Sequence, residues 1–253
     1  MRPPYTPGEL MIARAAREIQ DRELVFVGMR LPLLAFLLAR CTHAPRAVGL
    51  FENGVLRDSP ATDPLITMSD PPNIRQATMC MGMETAMGLL QAGRVDLGFI
   101  GGAEIDRYGN LNTTEVGPPN GTVRLPGSGG ACDIACLAGR LVVVMKHERR
   151  RFVERVRYVT SPGYGAGRMW RQEAGLVRGG PAAVITDKAV FTFHPRTREM
   201  VLTSLHPGVT PDEVRDLTGW PLTVPRKVAR TPEPTESDLA FIRRYDPEGF
   251  WSR

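Results

Sequence analysis

Short apolar runs separated by helical segments constrain the fold of this chain more than any other feature of its sequence. Leu24–Val27, Ala47–Phe51 and Leu141–Met145 contain no polar side chain. A strand without polar alternation is buried on both faces, as parallel strands covered by helices are. Segments of helical length, such as Leu31–Arg40 and Met81–Gln91, alternate with these runs. The pattern predicts an α/β fold with an open, largely parallel sheet that helices cover on both faces.

Two capping boxes, Thr6–Glu9 and Thr210–Glu213, predict where helices begin, and the first helix should run to about Ile19. The length of 253 residues suffices for one well-buried domain, and the sequence contains no internal repeat and no interdomain linker. We predict a single domain over residues 1–253, with a short helical extension at about 232–253.

The net charge of +5 comes from arginine, because Lys146, Lys188 and Lys227 are the only lysines. A basic surface can bind nucleic acid or the phosphates of a nucleotide-like cofactor. Ordinary solvated faces in a protein from a GC-rich genome explain the same composition. We favour the second interpretation and expect no nucleic-acid partner.

The sequence gives no sign of a membrane or a metal site. Its longest apolar run, Leu31–Ala39, is too short to cross a bilayer, and the first residues lack the apolar core of a signal peptide. The cysteines show no metal-ligand spacing: they are Cys41, Cys80, Cys132 and Cys136. We expect a cytoplasmic protein with reduced thiols and with no metal or redox cofactor.

Three loops follow predicted strands, and ligands of open α/β sheets bind outside the carboxyl ends of strands. Phe51–Gly54 contains Glu52, a carboxylate beside a tight turn, although a lone carboxylate there is more often a cap or a member of an ion pair. Gly101–Asn110 contains two further acids. Gly127–Ala131 is a glycine-rich turn before a predicted helix; its backbone N–H groups can hold an anion, or its glycines serve only the conformation.

The order of these motifs resembles one family. Glu52-Asn53-Gly54 is followed by Gly-Gly-Ala-Glu-Ile-Asp-Arg-Tyr-Gly-Asn-Leu-Asn at 101–112, and then by the glycine-rich motif. In this order they resemble the β subunits of class I CoA-transferases, most of all the glutaconate branch. The resemblance extends over roughly Glu9 to Gly249 and implies the class I CoA-transferase (NagB-like) form of the α/β fold.

The resemblance implies a role for each motif residue. Glu52 matches the nucleophile, which forms an acyl-glutamyl anhydride and then a glutamyl-CoA thioester, and Asn53 with Gly54 would form the turn that supports it. The family's loop beside the nucleophile matches five residues here: Gly127, Ser128, Gly129, Gly130 and Ala131. Their backbone N–H groups, chiefly around Gly129 and Gly130, are candidate oxyanion donors.

The resemblance also implies partners and substrates. A larger α subunit would supply much of the acid pocket, so we predict an α/β heterodimer that pairs into an α2β2 or larger assembly. The substrates would be an acyl-CoA, which brings coenzyme A, and a small carboxylic acid.

Several other polar residues near these motifs have two interpretations each. Cys132 stands where relatives commonly carry Asn, and we favour simple space filling. Glu104 and Asp106 suit an acid and a base, but we favour solvated loop carboxylates. His147 with Arg149–Arg151 would hold CoA phosphates or form a solvated or intersubunit ion-pair cluster, and the sequence leaves this open.

Other functions on this architecture also remain open. Related proteins include a ring-opening hydrolase of steroid-derived CoA thioesters and an acyl-CoA decarboxylase, in which the glutamate is absent or replaced. Glu52 favours transfer, although a carboxylate also serves as a general base for hydrolysis. The intact Glu52 turn disfavours a non-catalytic CoA- or nucleotide-sensing module.

Overall fold

A computed structural model describes residues 4–117, 121–176 and 178–253. The helices within these residues are α1 (Pro7–Ala16), α2 (Leu31–Cys41), α3 (Pro71–Ile74), α4 (Met83–Gln91), α5 (Ala131–Leu137), α6 (Trp170–Glu173), α7 (Pro211–Asp216) and α8 (Glu236–Tyr245). The strands are β1 (Leu24–Phe26), β2 (Val48–Leu50), β3 (Val55–Arg57), β4 (Met79–Cys80), β5 (Leu97–Ile100), β6 (Glu104–Ile105), β7 (Leu111–Asn112), β8 (Glu115–Val116), β9 (Val123–Arg124), β10 (Arg140–Val144), β11 (Pro181–Ile185), β12 (Ala189–Phe193), β13 (Met200–Leu205) and β14 (Ala229–Arg230). None of the helices in the described ranges has the length and apolar character needed to span a bilayer.

The chain divides into two compact units. The first comprises Met1–Phe99 with Pro232–Arg253, and the second comprises Ile100–Thr231. The predicted C-terminal helix, α8, therefore belongs to the first unit. The description of the whole chain as a single domain stays a prediction.

In the first unit the strand order is β5-β1-β2-β3-β4. β1 is parallel to both β2 and β5, whereas β3 and β4 are antiparallel additions. Close packing of α2 on this sheet depends on Gly49, because a Cβ there would lie 2.6 Å from the Phe36 ring. α2 also contacts α1 and α8. The apolar run that predicts a buried helix thus covers the strands that lead to Glu52.

The first capping box is formed as predicted. Thr6 Oγ1 accepts from Glu9 N at 3.1 Å, and Glu9 Oε2 accepts from Thr6 N at 2.7 Å. The helix ends at Ala16 rather than near Ile19, because Ile19 N donates to the carbonyl only three residues back and the chain tightens into turns.

In the second unit the strand order is β10-β11-β12-β13-β14. β10 and β11 are parallel, β12 and β13 form an antiparallel hairpin, and β14 is parallel to β13. Two small antiparallel pairs, β6–β7 and β8–β9, lie in the segment before α5. The predicted α/β class with a largely parallel sheet and flanking helices is confirmed. Antiparallel strands, β3 and β4 in the first unit and β12 and β13 in the second, extend the sheet.

The second capping box is only half formed. Thr210 Oγ1 accepts from Glu213 N at 3.2 Å. The Glu213 carboxylate forms an ion pair with Lys188 at 2.8 Å instead of returning to the Thr210 amide. A long-range charge contact that the local sequence does not encode therefore replaces one bond of the motif.

Candidate active site

The predicted nucleophile, Glu52, lies in the hairpin that joins β2 to β3. Phe51 N donates to Val55 O at 2.8 Å and Gly54 N donates to Phe51 O at 2.9 Å, so the loop is closed from both sides. Gly54 has a φ of 91°, the left-handed conformation that a three-residue hairpin loop needs at its last position. A Cβ there would lie 1.9 Å from Met81 O. Glu52 is thus placed at the corner of the turn, half-buried, just after the carboxyl end of β2.

Asn53 fixes this turn through both ends of its carboxamide. Nδ2 donates to Met68 O at 3.0 Å and to Ser69 Oγ at 3.1 Å. Oδ1 accepts from Val55 N at 3.3 Å. The turn is therefore tied to the segment that follows β3. The structure places Asn53 and Gly54 in a turn, and their role in supporting Glu52 stays a prediction.

Arg57 at the end of β3 organises that following segment, although none of the sequence motifs points to it. Its side chain is fully buried, at 0% exposure, and it donates to carbonyl oxygens at 2.5–3.1 Å. The acceptors are the carbonyls of Ser59, Pro60, Pro72, Asn73 and Arg75. Burial lowers the pKa of its guanidinium from the ordinary value. The available signal was an arginine in an apolar strand before a proline-rich segment, whose carbonyls need donors from elsewhere.

The glycine loop of the second unit has positive φ angles at Gly127 (90°) and Gly129 (49°). Gly127 N donates to Thr113 O at 2.9 Å, and Ala131 N donates to Ser128 O at 2.9 Å, so these two amides are occupied. Within the described ranges the amides of Ser128 and Gly129 have no acceptor, and both residues are exposed. Two of the five predicted residues therefore present N–H groups available to a ligand.

Gly130 and the two cysteines continue the loop into α5. Gly130 is buried and precedes the helix as its N-terminal cap. Cys132 and Cys136 are half-buried and lie one helical turn apart on α5. Burial, followed by the neighbouring Cys132, raises the pKa of Cys136 to about 11. Cys136 is therefore protonated near neutral pH, and a space-filling role for the pair fits this state.

The acids of the 101–110 loop are structural, and Asp106 is not the solvated carboxylate we expected. It is 2% exposed and accepts from Tyr108 N at 3.0 Å and from Asn110 Nδ2 at 2.9 Å. Burial raises the pKa of Asp106 although these donors lower it. Glu104 accepts from Asn112 Nδ2 at 2.7 Å. Both acids accept hydrogen bonds from amide groups of the same hairpin, and Asp106 is buried while Glu104 is half-buried.

A cleft of about 840 Å³ opens beside this hairpin. Asp106, Tyr108 and Trp170 are among its lining residues, but neither Glu52 nor the glycine loop is. A candidate active site is defined by its reactive groups, and the residues that line this cleft do not include them. The cleft is therefore not the candidate active site, whatever its size.

His147 belongs to the core of the second unit. It stacks on Phe152 with ring centroids 3.9 Å apart, and its Nε2 lies 3.1 Å from Thr218 Oγ1. Burial, followed by the charge of Lys188, lowers the pKa of His147 to about 3. Because its side chain is only 2% exposed, His147 presents no ring nitrogen to a phosphate in solvent, and the phosphate-binding interpretation of His147 is not supported.

The neighbouring arginines are engaged within the chain. Arg150 and Arg151 form ion pairs with Glu148 at 2.6 Å and 3.2 Å, and Arg149 donates to Thr218 O. The ion pairs of Arg150 and Arg151 therefore support the solvated ion-pair interpretation, and the intersubunit interpretation stays a prediction.

Comparison with known proteins identifies the family. The chain matches the model of the coenzyme A transferase family over residues 9–217. The chain belongs to the coenzyme A transferase family. It is 39% identical over 241 residues to the B-type chain of 3-oxoadipate CoA-transferase from Pseudomonas knackmussii, covering 94% of this chain and 92% of that protein. The crystal structure of glutaconate coenzyme A-transferase from Acidaminococcus fermentans matches with a TM-score of 0.91 and 30% identity, covering 99% of this chain and 98% of that one. The class I CoA-transferase fold is thereby confirmed.

Relatives with other chemistry share the fold. The chain is 31% identical to the IpdB component of the cholesterol ring-cleaving hydrolase of Mycobacterium tuberculosis, covering 85% of this chain and 84% of that protein. The crystal structure of the decarboxylase AibA/AibB matches with a TM-score of 0.82 and 26% identity, covering 97% of each chain. Fold alone therefore does not decide between transfer and these reactions.

Proposed function

We propose that this chain is the β-type subunit of a heteromeric CoA-transferase and that Glu52 is its nucleophile. One observation carries the proposal: a glutamate stands at the corner of a doubly closed turn, just after a buried parallel strand, in a chain of the coenzyme A transferase family. A carboxylate fixed in this way keeps its geometry while it is acylated and regenerated.

The reaction proceeds through covalent intermediates at the Glu52 carboxylate. An oxygen of Glu52 attacks the thioester carbonyl of an acyl-CoA, and CoA thiolate leaves as the acyl-glutamyl anhydride forms. The thiolate attacks the glutamyl carbonyl of the anhydride, which releases the first acid and leaves a glutamyl-CoA thioester. The second acid attacks this thioester carbonyl and forms a second anhydride with Glu52, which releases CoA thiolate. The thiolate then attacks the acyl carbonyl of that anhydride, which gives the new acyl-CoA and the free Glu52 carboxylate. No redox change is needed.

Each addition places negative charge on a carbonyl oxygen, and the glycine loop is proposed to bind it. The unoccupied amides of Ser128 and Gly129 are donors of the required kind. Gly127, Gly130 and Ala131 are proposed to hold these two donors in place: Gly127 N and Ala131 N are bonded within the chain, and Gly130 is the N-cap of α5.

We propose a short dicarboxylic or 3-oxo acid as the acceptor. Two similar transferases are named for such acids, 3-oxoadipate and glutaconate. Because these relatives are named as the second of two subunit types, the proposed partner is an α-type subunit in an α2β2 or larger assembly. We propose a cytoplasmic location, where reduced cysteines and acyl-CoA substrates are both expected.

A hydrolase function is the second candidate, and the IpdB relative is the observation that favours it. In that case Glu52 would act as a general base on water and would carry no acyl or CoA group. The decarboxylase relative makes loss of carbon dioxide from the thioester a further outcome of the same test.

The decisive experiment looks for CoA on Glu52. The chain is co-expressed with the α-type homologue of the same organism, incubated with candidate acyl-CoAs and digested. Mass spectrometry should find a CoA adduct on the Glu52 peptide, which borohydride reduces and an added acid removes as new acyl-CoA.

Two variants make the assignment specific. Glu52→Ala should abolish both adduct and transfer. Glu248→Ala, which alters an exposed glutamate, should leave them unchanged. Thioester turnover without an adduct and without an acceptor acid would move the protein to the hydrolase or decarboxylase branch.

A further inference from the structure

We propose that Thr113 is a positioning residue that sets the orientation of the glycine loop, an inference that rests on the proposed transferase function. Thr113 follows β7, 14 residues before the loop, and it binds Gly127 in both directions. Its Oγ1 donates to Gly127 O at 2.8 Å, and its carbonyl accepts from Gly127 N at 2.9 Å. Both polar atoms of the Gly127 backbone are thus held by one residue.

The position of Gly127 decides where the next two amides point. The peptide unit that Thr113 grips through Gly127 O contains Ser128 N, and Gly129 N follows one unit later. These are the two loop amides without an acceptor in the described ranges. A glycine-rich loop has many accessible conformations, so a fixed entry is needed if its donors are to meet a developing oxyanion.

Thr113 is itself held by a second threonine. Thr160, 7% exposed, accepts from Thr113 N through its Oγ1 at 2.9 Å. The same hydroxyl lies 2.8 Å from Thr114 Oγ1, and Thr114 O accepts from Leu125 N at 2.9 Å. We call Thr113, Thr114 and Thr160 the threonine clamp. Thr113 and Thr114 connect the end of the β6–β7 hairpin to Gly127 and Leu125, and Thr160 connects it to a later segment of the chain.

The hairpin of the 101–112 motif also holds the clamp in place, a role that its acids do not explain. Thr160 N donates to Leu111 O at 2.8 Å, and Leu111 N donates to Ser161 O at 2.9 Å. The hairpin is therefore anchored to 160–161 next to Thr113. At the turn of the hairpin, buried Asp106 accepts hydrogen bonds from Tyr108 and Asn110. At its other end, Thr113 follows β7 and belongs to the clamp.

The test compares three substitutions in the co-expressed complex. Thr113→Val keeps the branched shape and removes the hydroxyl that binds Gly127 O. Thr113→Ser keeps that donor. Thr192→Val is the matched control, because it removes a hydroxyl on β12 that pairs with Thr203 on β13, 2.8 Å away and outside the glycine loop.

The readouts are the rate of adduct formation on Glu52, kcat, KM and the melting temperature. We expect Thr113→Val to lower the adduct rate and kcat ~10- to 100-fold, as misplacement of reacting groups does, with KM changed less than about twofold. Thr113→Ser should restore most of the rate, and Thr192→Val should resemble wild type. Thr160→Val removes the acceptor of the Thr113 amide and should lower kcat in the same direction, which serves if Thr113→Val folds poorly.

The outcomes separate the two proposals. Adduct formation at the wild-type rate in a folded Thr113→Val complex would overturn the positioning role. So would a Thr113→Ser variant as slow as Thr113→Val. If the wild-type complex turns over thioester without an adduct, the transferase proposal fails instead, and the ratio of the Thr113→Val to the wild-type turnover rate then decides whether the clamp serves that reaction.

Discussion

At the scale of single residues, Gly54 and Gly127 show that two glycines with left-handed φ angles are needed for different reasons. Both have φ near 90°. A Cβ at Gly54 would lie 1.9 Å from Met81 O, whereas a Cβ at Gly127 would meet nothing within 4 Å. A side chain at Gly54 is excluded both by the nearby Met81 backbone and by the left-handed conformation. At Gly127 only the left-handed conformation disfavours one.

We therefore predict unequal effects of alanine at these positions. Gly127→Ala should lower the free energy of unfolding by ~1–2 kcal/mol, the strain of a left-handed L-residue. Gly54→Ala should lower it by more than ~3 kcal/mol, because backbone must also move. Gly175→Ala is the control, with φ of 72° and open space; it should match Gly127→Ala in stability but retain transferase activity. Urea unfolding and CoA-transfer assays measure both effects, and equal stability of the Gly54 and Gly127 variants would contradict this account.

His147 makes a prediction about pH. Its pKa is lowered from 6.5 to about 3 in the folded chain, chiefly by burial. Above pH 6.5 the imidazole is neutral in both states. As the pH falls from 6.5 towards 3, the unfolded chain binds a proton that the folded chain does not, so the free energy of unfolding falls by up to about 1.4 kcal/mol per pH unit from this group.

The variant His147→Phe removes this titration and keeps an aromatic ring against Phe152. Thr218 keeps its hydrogen bond to Val214 O at 2.7 Å. Urea unfolding between pH 4 and 7.5 should show a shallower decline for the variant, with the curve above pH 7 as the internal reference. Parallel curves for the two proteins would contradict a buried neutral His147.

At the scale of elements, the segment after β3 depends on one buried cation. Arg57 supplies donors to five carbonyls of residues 59–75, and this segment in turn presents Met68 O and Ser69 Oγ to Asn53 in the Glu52 turn. Asn73 Nδ2 also donates to Met68 O, at 2.6 Å, so the carbonyl that Asn53 binds is held within this segment too.

We predict that Arg57→Met releases the segment and disturbs the turn. The loss of a guanidinium that satisfies several buried carbonyls should lower the free energy of unfolding by about 3 kcal/mol or more. Amide hydrogen exchange should rise across 59–75, and transfer should fall because Asn53 loses its acceptors. Arg94→Met, at an exposed arginine of the same unit, is the control. Unchanged exchange in the Arg57 variant would contradict this role.

Sequence predicts the elements of this protein where the signal is local. The apolar runs of β1, β2 and β10 and the Thr6–Glu9 cap lie close to their predicted places because period and capping chemistry are read over a few residues. The Glu-Asn-Gly motif predicts the Glu52 turn for the same reason.

Contacts between distant segments were not predictable from the sequence. Thr113 meets Gly127 14 residues later and Thr160 47 residues later. The acceptors of Arg57 include carbonyls 15 to 18 residues along the chain. Asp106 was expected to be solvated because the loop composition does not reveal that its own backbone encloses it. In each case the chain path, rather than a residue pattern, brings the partners together.

At the scale of the whole molecule, the proposed chemistry requires more than this chain. In the proposed reaction its own residues supply the nucleophile Glu52 and the oxyanion donors, but they do not identify a pocket that selects the acid. The similar transferase chains, named as one of two subunit types, and the decarboxylase structure named AibA/AibB are parts of assemblies with two kinds of subunit. An exchange reaction also requires water to be kept from the anhydride and the glutamyl thioester, and a second subunit is the proposed source of that cover.

We predict that the purified chain alone folds but does not transfer CoA, and that activity appears when the α-type homologue is added. Transfer rate should rise with the added partner and saturate at a 1:1 ratio, while light scattering after size exclusion should show an α2β2 or larger species. Glu52→Ala should assemble normally and stay inactive, which separates assembly from chemistry. CoA exchange by the isolated chain at the rate of the complex would show that the acid pocket and the water barrier belong to this chain, and the proposed division of labour between two subunits would then be wrong.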